Sequence, residues 1–191
     1  MSQKSLQGEY SFRKMELVSA FNFTPDGKFQ FYYSYGASDR SASGTYTIED
    51  NVLKLKSHKE AGKDFKIEKQ EKRVGNTRIK VVAENKVLTS GVLCVCQVGD
   101  TPHEFRSNQD GVIDTELKTC DNIFVQHSYF PDIYTQIKDK QNANNYFEIS
   151  PQQSLVEVSF KGIDFVIQGN VLTCLPNYFL PFENIEFTKS D

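Results

Sequence analysis

The sequence predicts an almost entirely β protein made of two small domains in tandem. Fifteen Phe and nine Tyr, but no Trp, occur largely in short runs beside Val, Ile and Thr, and such residues favour strands. Many runs alternate apolar and polar residues and end at turn-forming residues. We therefore expect a small antiparallel β meander or half-barrel over residues 1–75, followed by a β-sandwich over residues 76–191.

The first half shows the clearest alternation. Strands are predicted at 16–23, 28–35, 43–48, 52–56 and 63–69. The Thr-Pro-Asp-Gly sequence at 24–27 predicts a tight turn, because Pro fixes φ and Gly accepts a positive φ. Connections this short join antiparallel neighbours. The inward candidates of the second strand are Phe29, Phe31, Tyr33 and Tyr35.

Three motifs of this half carry a resemblance. They are Gly8-Glu-Tyr, Phe23-Thr-Pro-Asp-Gly-Lys-Phe and Ser43-Gly-Thr-Tyr-Thr-Ile-Glu-Asp-Asn-Val-Leu-Lys-Leu. The combination resembles the lipocalin-like domains of small bacterial proteins. The segment is too short for the eight strands of a closed lipocalin barrel. The resemblance therefore implies a half-barrel with little or no cavity.

The polar segment 70–77 predicts the linker to a second series of strands. This half contains Ser90-Gly-Val, then Ser107-Asn-Gln-Asp-Gly, then Cys120-Asp-Asn-Ile-Phe-Val. That order resembles the transthyretin-like, carboxypeptidase-regulatory type of β-sandwich, over about residues 78–137. Residues 146–188 are expected to add further strands to the same domain.

Charge and hydropathy exclude two partners. The net charge is −3, and the chain has no concentrated basic patch of the kind that nucleic acid requires. No run near 18 apolar residues predicts a transmembrane segment.

Residues 1–6 lack the apolar centre of a signal peptide. A native chain is thus expected in the cytoplasm, whereas one whose signal peptide had been removed would be exported, so the localisation is unknown.

The sequence predicts no catalytic motif, no metal site and no cofactor. The glycine-rich phosphate loops and the Gly-x-Ser-x-Gly nucleophile turn are absent. Asp110-Gly111 fits a β-turn better than a calcium loop, since the loop template falls out of register there. Three scattered histidines lack the spacing of a zinc site: His58, His103 and His127.

The four cysteines are Cys94, Cys96, Cys120 and Cys174. Apolar neighbours favour buried free thiols, and the alternative is a disulfide from Cys94 or Cys96 to Cys120 or Cys174. Cys120 is the best candidate for a cysteine nucleophile in this sequence, with His127 on a nearby strand as its candidate base. The adjacent Asp121 would disfavour the thiolate, because a nearby negative charge raises a thiol pKa.

The aromatic residues supply the candidate binding site. Tyr32, Tyr33 and Tyr35 either complete a β core and its rim or line a groove that stacks on sugar rings. Others occur in proline-containing loops, where an interface is expected. The candidate ligand or partner residues are Tyr33, Tyr35, Tyr129, Phe130, Tyr134, Tyr178 and Phe179.

The sequence favours a non-catalytic binding or interaction protein with an unknown protein or carbohydrate partner. One alternative is a carrier of a small apolar ligand, which requires a cavity behind the inward aromatic face of the first domain. The other is an enzyme whose site is assembled from distant loops.

Overall fold

The structure, a computed structural model, describes residues 5–36 and 38–190, and this part of the chain is all-β, as predicted. Residues 1–4, which belong to the signal-peptide expectation, and Ala37, in the expected polar link after the second strand, lie outside the described residues.

The described residues form sixteen strands and two short 3-10 helices. The strands are β1 (Gly8–Lys14), β2 (Leu17–Thr24), β3 (Lys28–Tyr35), β4 (Ser38–Glu49), β5 (Val52–Ser57), β6 (Phe65–Glu71), β7 (Arg78–Val81), β8 (Val92–Val98), β9 (Thr101–Arg106), β10 (Val112–Asp114), β11 (Asn122–His127), β12 (Phe130–Lys138), β13 (Tyr146–Pro151), β14 (Asp164–Gln168), β15 (Val171–Cys174) and β16 (Ile185–Lys189). The 3-10 helices are Lys86–Leu88 and Gln153–Val156. Neither described helix has the length and apolarity needed to cross a membrane.

Residues up to 61 and from 156 onward form one compact unit. Its eight strands close into an antiparallel barrel in the order β1-β16-β15-β14-β5-β4-β3-β2. The half-barrel expectation is therefore wrong. Three strands from the end of the chain complete the barrel: β14 pairs with β5, and β16 pairs with β1.

Aromatic rings fill the barrel interior. The Phe21 ring is fully buried, and its centroid lies 4.6–6.2 Å from those of six other phenylalanines. These are Phe23, Phe29, Phe31, Phe160, Phe165 and Phe187. Side chains of this size fill the interior of an eight-stranded barrel, and rings at these distances make favourable edge and offset contacts.

Residues 62–155 form a second compact unit. It contains two four-stranded sheets, β10-β7-β13-β6 and β12-β11-β8-β9. All pairs are antiparallel except the β7–β13 pair, which is parallel. Side chains from both sheets share one hydrophobic core, including Ile79, Phe147, Cys94 and Ile123.

This division differs from the predicted domains 1–75 and 76–191. The predicted linker, 70–77, lies inside the second unit. The Arg73 backbone amide donates to Asn145 Oδ1 at 2.7 Å, and Asn145 Nδ2 donates to the Arg73 and Gly75 carbonyl oxygens at 3.1 Å each. The second unit is thus an insertion in the chain of the barrel unit, between β5 and β14.

Candidate functional site

Two of the seven candidate aromatic residues belong to the barrel core. Tyr33 is 5% exposed and Phe179 is 2% exposed, and their ring centroids lie 5.9 Å apart. Burial raises the pKa of the Tyr33 hydroxyl. In this arrangement both rings pack against the protein instead of facing solvent.

Two further candidates, Tyr35 and Tyr178, belong to the same unit. Tyr35 is 43% exposed, and its ring meets the Phe182 ring edge-on at 6.1 Å. Tyr178 is half-buried, and its hydroxyl donates to the Ser159 carbonyl oxygen. The Tyr178 hydroxyl is therefore engaged within the barrel unit.

The remaining three candidates lie in the second unit. Tyr129 is 61% exposed, and its backbone amide donates to His127 Nδ1 at 3.2 Å. Phe130 is half-buried, with its ring 5.4 Å from the His127 ring. Tyr134 is 37% exposed and borders a shallow surface depression with Leu93 and Phe105.

His127 is fully buried, and burial lowers its pKa. The ring is therefore neutral near pH 7. Its Nδ1 accepts a hydrogen bond from the Tyr129 backbone amide, and the backbone of Val87 and Ser90 lies near the ring. Its hydrogen bonding is local and structural. The Cys120 thiol, for which His127 was the candidate base, donates its hydrogen bond to Thr77 Oγ1 at 3.7 Å.

All four cysteines are free thiols. Cys94 and Cys96 are fully buried, with their sulfur atoms 3.8 Å apart. The hydrogen bond to Cys96 is the largest cause that raises the pKa of the Cys120 thiol, and burial is the second. Burial raises the pKa of the Cys174 thiol to about 12. Thiols with raised pKa are poor nucleophiles. Among the described residues, no group of three or more His, Cys, Asp or Glu side chains is arranged to hold a metal.

A groove of about 460 Å³ crosses the outer face of the barrel over β1–β4. Strand register sets two rows of side chains across it. Glu9 pairs with Asn22, Asn22 with Gln30, and Gln30 with Ser43. Paired residues on one face of a sheet lie about 4.5–5.5 Å apart, so this row forms a continuous polar strip.

The second row of the groove contains its aromatic residue. Ala20 pairs with Tyr32, and Tyr32 pairs with Ser41. The side chains of Ala20, Ser41 and Ser43 are short, whereas those of Glu9, Gln30 and Tyr32 are long. The relief of the groove therefore comes from the sizes of outward side chains.

Glu157 closes the groove beyond β4 and reaches it from a distant part of the chain. Its backbone bridges Ser41 in parallel, next to the bond from the Val158 amide to the Ser41 carbonyl oxygen. The Glu157 carbonyl oxygen accepts hydrogen bonds from Arg40 Nη2 at 2.9 Å and from Lys59 Nζ at 2.8 Å. These bonds hold the Glu157 backbone beside the strand.

The polar groups at the centre of the groove face solvent. Tyr32 is 49% exposed, and Asn22 and Gln30 are exposed as well. Within the part of the chain that the structure describes, the side chains of these three residues form no hydrogen bond to the protein. An amide side chain offers both donors and an acceptor, and a phenol adds one of each. The centre of the groove thus combines an aromatic ring with free hydrogen-bonding groups.

Sequence reasoning weighed Tyr32 as a groove residue but did not select it, and it missed the polar residues around it. The alternation that assigns Tyr33 to the inside assigns Tyr32 to the outside, so the signal for Tyr32 was present. The outward positions of Asn22, Gln30 and Ser43 follow from the same alternation once the register of the paired strands is known. Glu157 had no sequence signal, because its place depends on contacts with residues over 100 positions away.

No family model, curated protein or solved structure matches this chain.

Proposed function

We propose that this protein is a non-catalytic binding protein and that the groove on the outer barrel face binds a carbohydrate. The observation that supports this most strongly is the exposed Tyr32 ring beside the free amides of Asn22 and Gln30. A sugar ring has an apolar face that packs on an aromatic ring and an edge of hydroxyl groups that both donate and accept hydrogen bonds. The groove offers a counterpart for each.

The separation of the two groove carboxylates supports a role without catalysis. Glu9 lies on β1, and Glu157 pairs with a residue of β4. Four strand spacings of about 4.8 Å each separate them along the barrel surface. Glycoside hydrolysis requires two carboxyl groups within about 5–9.5 Å of one another. The pair therefore lacks the geometry for that chemistry.

The outer face is a better candidate than the barrel interior. A carrier of a small apolar ligand would need space behind Phe29 and Phe31, where the rings of Phe21 and Phe160 are packed within 4.6–6.2 Å of them. A lipocalin-like relationship stays part of the proposal, supported by the eight-stranded antiparallel barrel. The two sheets with a common core support the proposal of a transthyretin-like β-sandwich for the second unit.

The experiment is a binding screen of the full chain on immobilised neutral oligosaccharides, followed by titration of the best glycan. We expect Tyr32→Ala to weaken that binding at least about tenfold, equivalent to about 1.4 kcal/mol. The matched controls are Tyr35→Ala and Tyr129→Ala, which remove exposed rings outside the groove lining. Both controls are expected to bind as the wild type does.

Two results would overturn the proposal. One is that the wild-type chain binds no glycan, and the other is that Tyr32→Ala binds as tightly as the wild type. A parallel peptide array is included because aromatic-lined grooves also bind polypeptides. Binding to peptides alone, with the same dependence on Tyr32, would reassign the groove to a protein partner.

A further inference from the structure

Strand β9 forms one edge of the sheet β12-β11-β8-β9 in the second unit. Within residues 5–36 and 38–190, no strand pairs with its outer side. Its register with β8 runs without a break from the Val98–Thr101 pair to the Leu93–Arg106 pair. A regular edge strand presents a row of unpaired backbone groups to which another strand can be added.

The hydrogen bonds to β8 determine which backbone groups of β9 face outward. The Ser107 amide, one position beyond β9, donates to the Val92 carbonyl oxygen at 2.9 Å. Because antiparallel partners alternate between bonded and non-bonded pairs, the N–H and C=O groups of Phe105 also face β8. The N–H and C=O groups of Glu104 and Arg106 therefore face the open edge.

The other open edges of the two sheets of this unit differ from β9. The pairing of β12 with β11 contains two register shifts, and β10 has three residues. Strand β6 carries Lys66 and Lys69, and its pairing with β13 contains a register shift. Irregular, short or lysine-bearing edges resist the addition of a strand. In β9, Pro102 lacks an N–H group but lies near the start of the strand, so the segment around Phe105 stays open.

The side chains around this open segment have opposite charges. Glu104 and Arg106 are both exposed, and their spacing of two places them on one face of the strand. Within the described part of the chain, neither side chain forms a hydrogen bond or an ion pair with the protein. Phe105 lies between them on the opposite face, half-buried against the core of the unit.

We infer that two copies of this chain associate through β9, antiparallel and centred on Phe105. In a twofold pair, each contact occurs twice, so Glu104 of each copy lies opposite Arg106 of the other. These residues exchange both backbone hydrogen bonds that the free edge lacks, and their side chains form a favourable cross-strand pair of opposite charge. The two Phe105 rings meet on the other face, where aromatic cross-strand pairs are also favourable.

Other registers of the same strand pair are less favourable. Centring the pair on Glu104 sets two glutamates opposite one another, and centring it on Arg106 does the same with two arginines. Like charges that lie directly opposite are destabilising. Centring on His103 sets Glu104 opposite Pro102, which has no N–H to donate. Charge and proline position therefore select the register centred on Phe105.

The experiment is sedimentation equilibrium of the full chain over a wide range of protein concentrations. We expect the average mass to rise with concentration from the 21.8 kDa of one chain towards twice that value. Glu104→Arg and Arg106→Glu each set like charges opposite one another, so each is expected to raise the dissociation constant at least about tenfold. The control Glu186→Arg makes the same change of charge at an exposed position of the barrel unit, and it is expected to associate as the wild type does.

A mixture of the two single variants tests the register itself. The Glu104→Arg chain presents two positive side chains along the edge, and the Arg106→Glu chain presents two negative ones. We expect the mixture to form a heterodimer about as tightly as the wild type forms its dimer, although each variant alone associates weakly. The double variant Glu104→Arg/Arg106→Glu is expected to regain association as well, because its charges are exchanged and still match.

Three results would overturn the inference. The first is the mass of one chain at every concentration of the wild type. The second is association that neither single variant weakens. The third is a failure of the mixture to associate when both variants retain the circular dichroism spectrum of the wild type. A monomeric chain whose Glu104 and Arg106 amide signals shifted on addition of an extended peptide would assign this edge to another polypeptide instead of a second copy.

Discussion

At the scale of single residues, His127 makes the stability of the second unit depend on pH. Its pKa in the folded protein is lowered by burial, so the unfolded chain binds a proton more readily near pH 6. The stabilising contribution of the neutral ring is complete above about pH 6.5 and is lost as the pH falls toward the folded pKa.

We therefore expect the free energy of unfolding to fall by up to about 1.4 kcal/mol per pH unit within that window from this group alone. Denaturant titrations at pH 7.5, 6.5 and 5.5 measure the effect. The His127→Asn variant is expected to show a smaller slope of unfolding free energy against pH, because it lacks the His127 ring. His58 and His103 are present in both proteins and do not contribute to the difference. An unchanged slope in the variant would contradict the assignment to His127.

The Tyr46 hydroxyl is a second residue whose contribution can be measured. It accepts a hydrogen bond from the Leu6 amide at 2.9 Å and lies 2.9 and 3.0 Å from the carbonyl oxygens of Leu6 and Thr24. The Tyr46→Phe change leaves buried polar groups without a partner, so we expect a loss of about 1–3 kcal/mol in unfolding free energy. In the control Tyr32→Phe, which removes a solvent-facing hydroxyl, we expect a change within about 0.5 kcal/mol.

Prediction of single residues from the sequence succeeded where strand alternation decides which face a side chain occupies. It failed where the path of a loop decides whether a side chain is buried. Strand alternation correctly placed Phe29, Phe31 and Tyr33 on the inward face, but the same prediction was wrong for Tyr35, which lies at the end of β3 and is 43% exposed. Phe179 was assigned to a surface loop because prolines flank it, yet the loop is folded into the barrel and buries Leu180 as well. A proline-bounded sequence indicates irregular backbone but not its burial.

At the scale of elements, Gly44 allows β4 and β5 to approach closely. A Cβ atom at this position would lie 2.0 Å from the Lys56 carbonyl oxygen, a backbone atom that cannot rotate away. We expect Gly44→Ala to destabilise the protein by at least about 2 kcal/mol, because overpacking forces the strands apart. Thermal unfolding measures the loss. The neighbouring outward change Ser43→Ala is the control, and equal stability of the two variants would contradict this role.

Local patterns also predicted strands better than strand partners. The turns and alternation located most of β2 to β5, although β4 begins at Ser38 and not at Ser43. The strand at β14 was recognised but assigned to the second domain. Its partner β5 lies more than 100 residues earlier, and no local pattern encodes a pairing at that separation.

At the scale of the whole molecule, the division of the chain can be tested with fragments. Residues 62–155 contain both sheets and their complete core, so we expect this fragment to fold and unfold cooperatively. Residues 1–75 contain β1 to β6 but lack the three strands that close the barrel. We expect that fragment to be unfolded, as judged by circular dichroism and amide exchange. A folded 1–75 fragment beside an unfolded 62–155 fragment would support the boundary at residue 75 instead.

The measurement that tests the binding site most directly is two-dimensional NMR of the ¹⁵N-labelled full chain, titrated with the best neutral oligosaccharide. We expect the amide signals of Asn22, Gln30, Tyr32 and Ser43 to shift in a saturable manner, with those of Tyr129 and Tyr134 unchanged. Shifts confined to the second unit, or no saturable shift at all, would contradict the assignment of carbohydrate binding to the outer barrel groove.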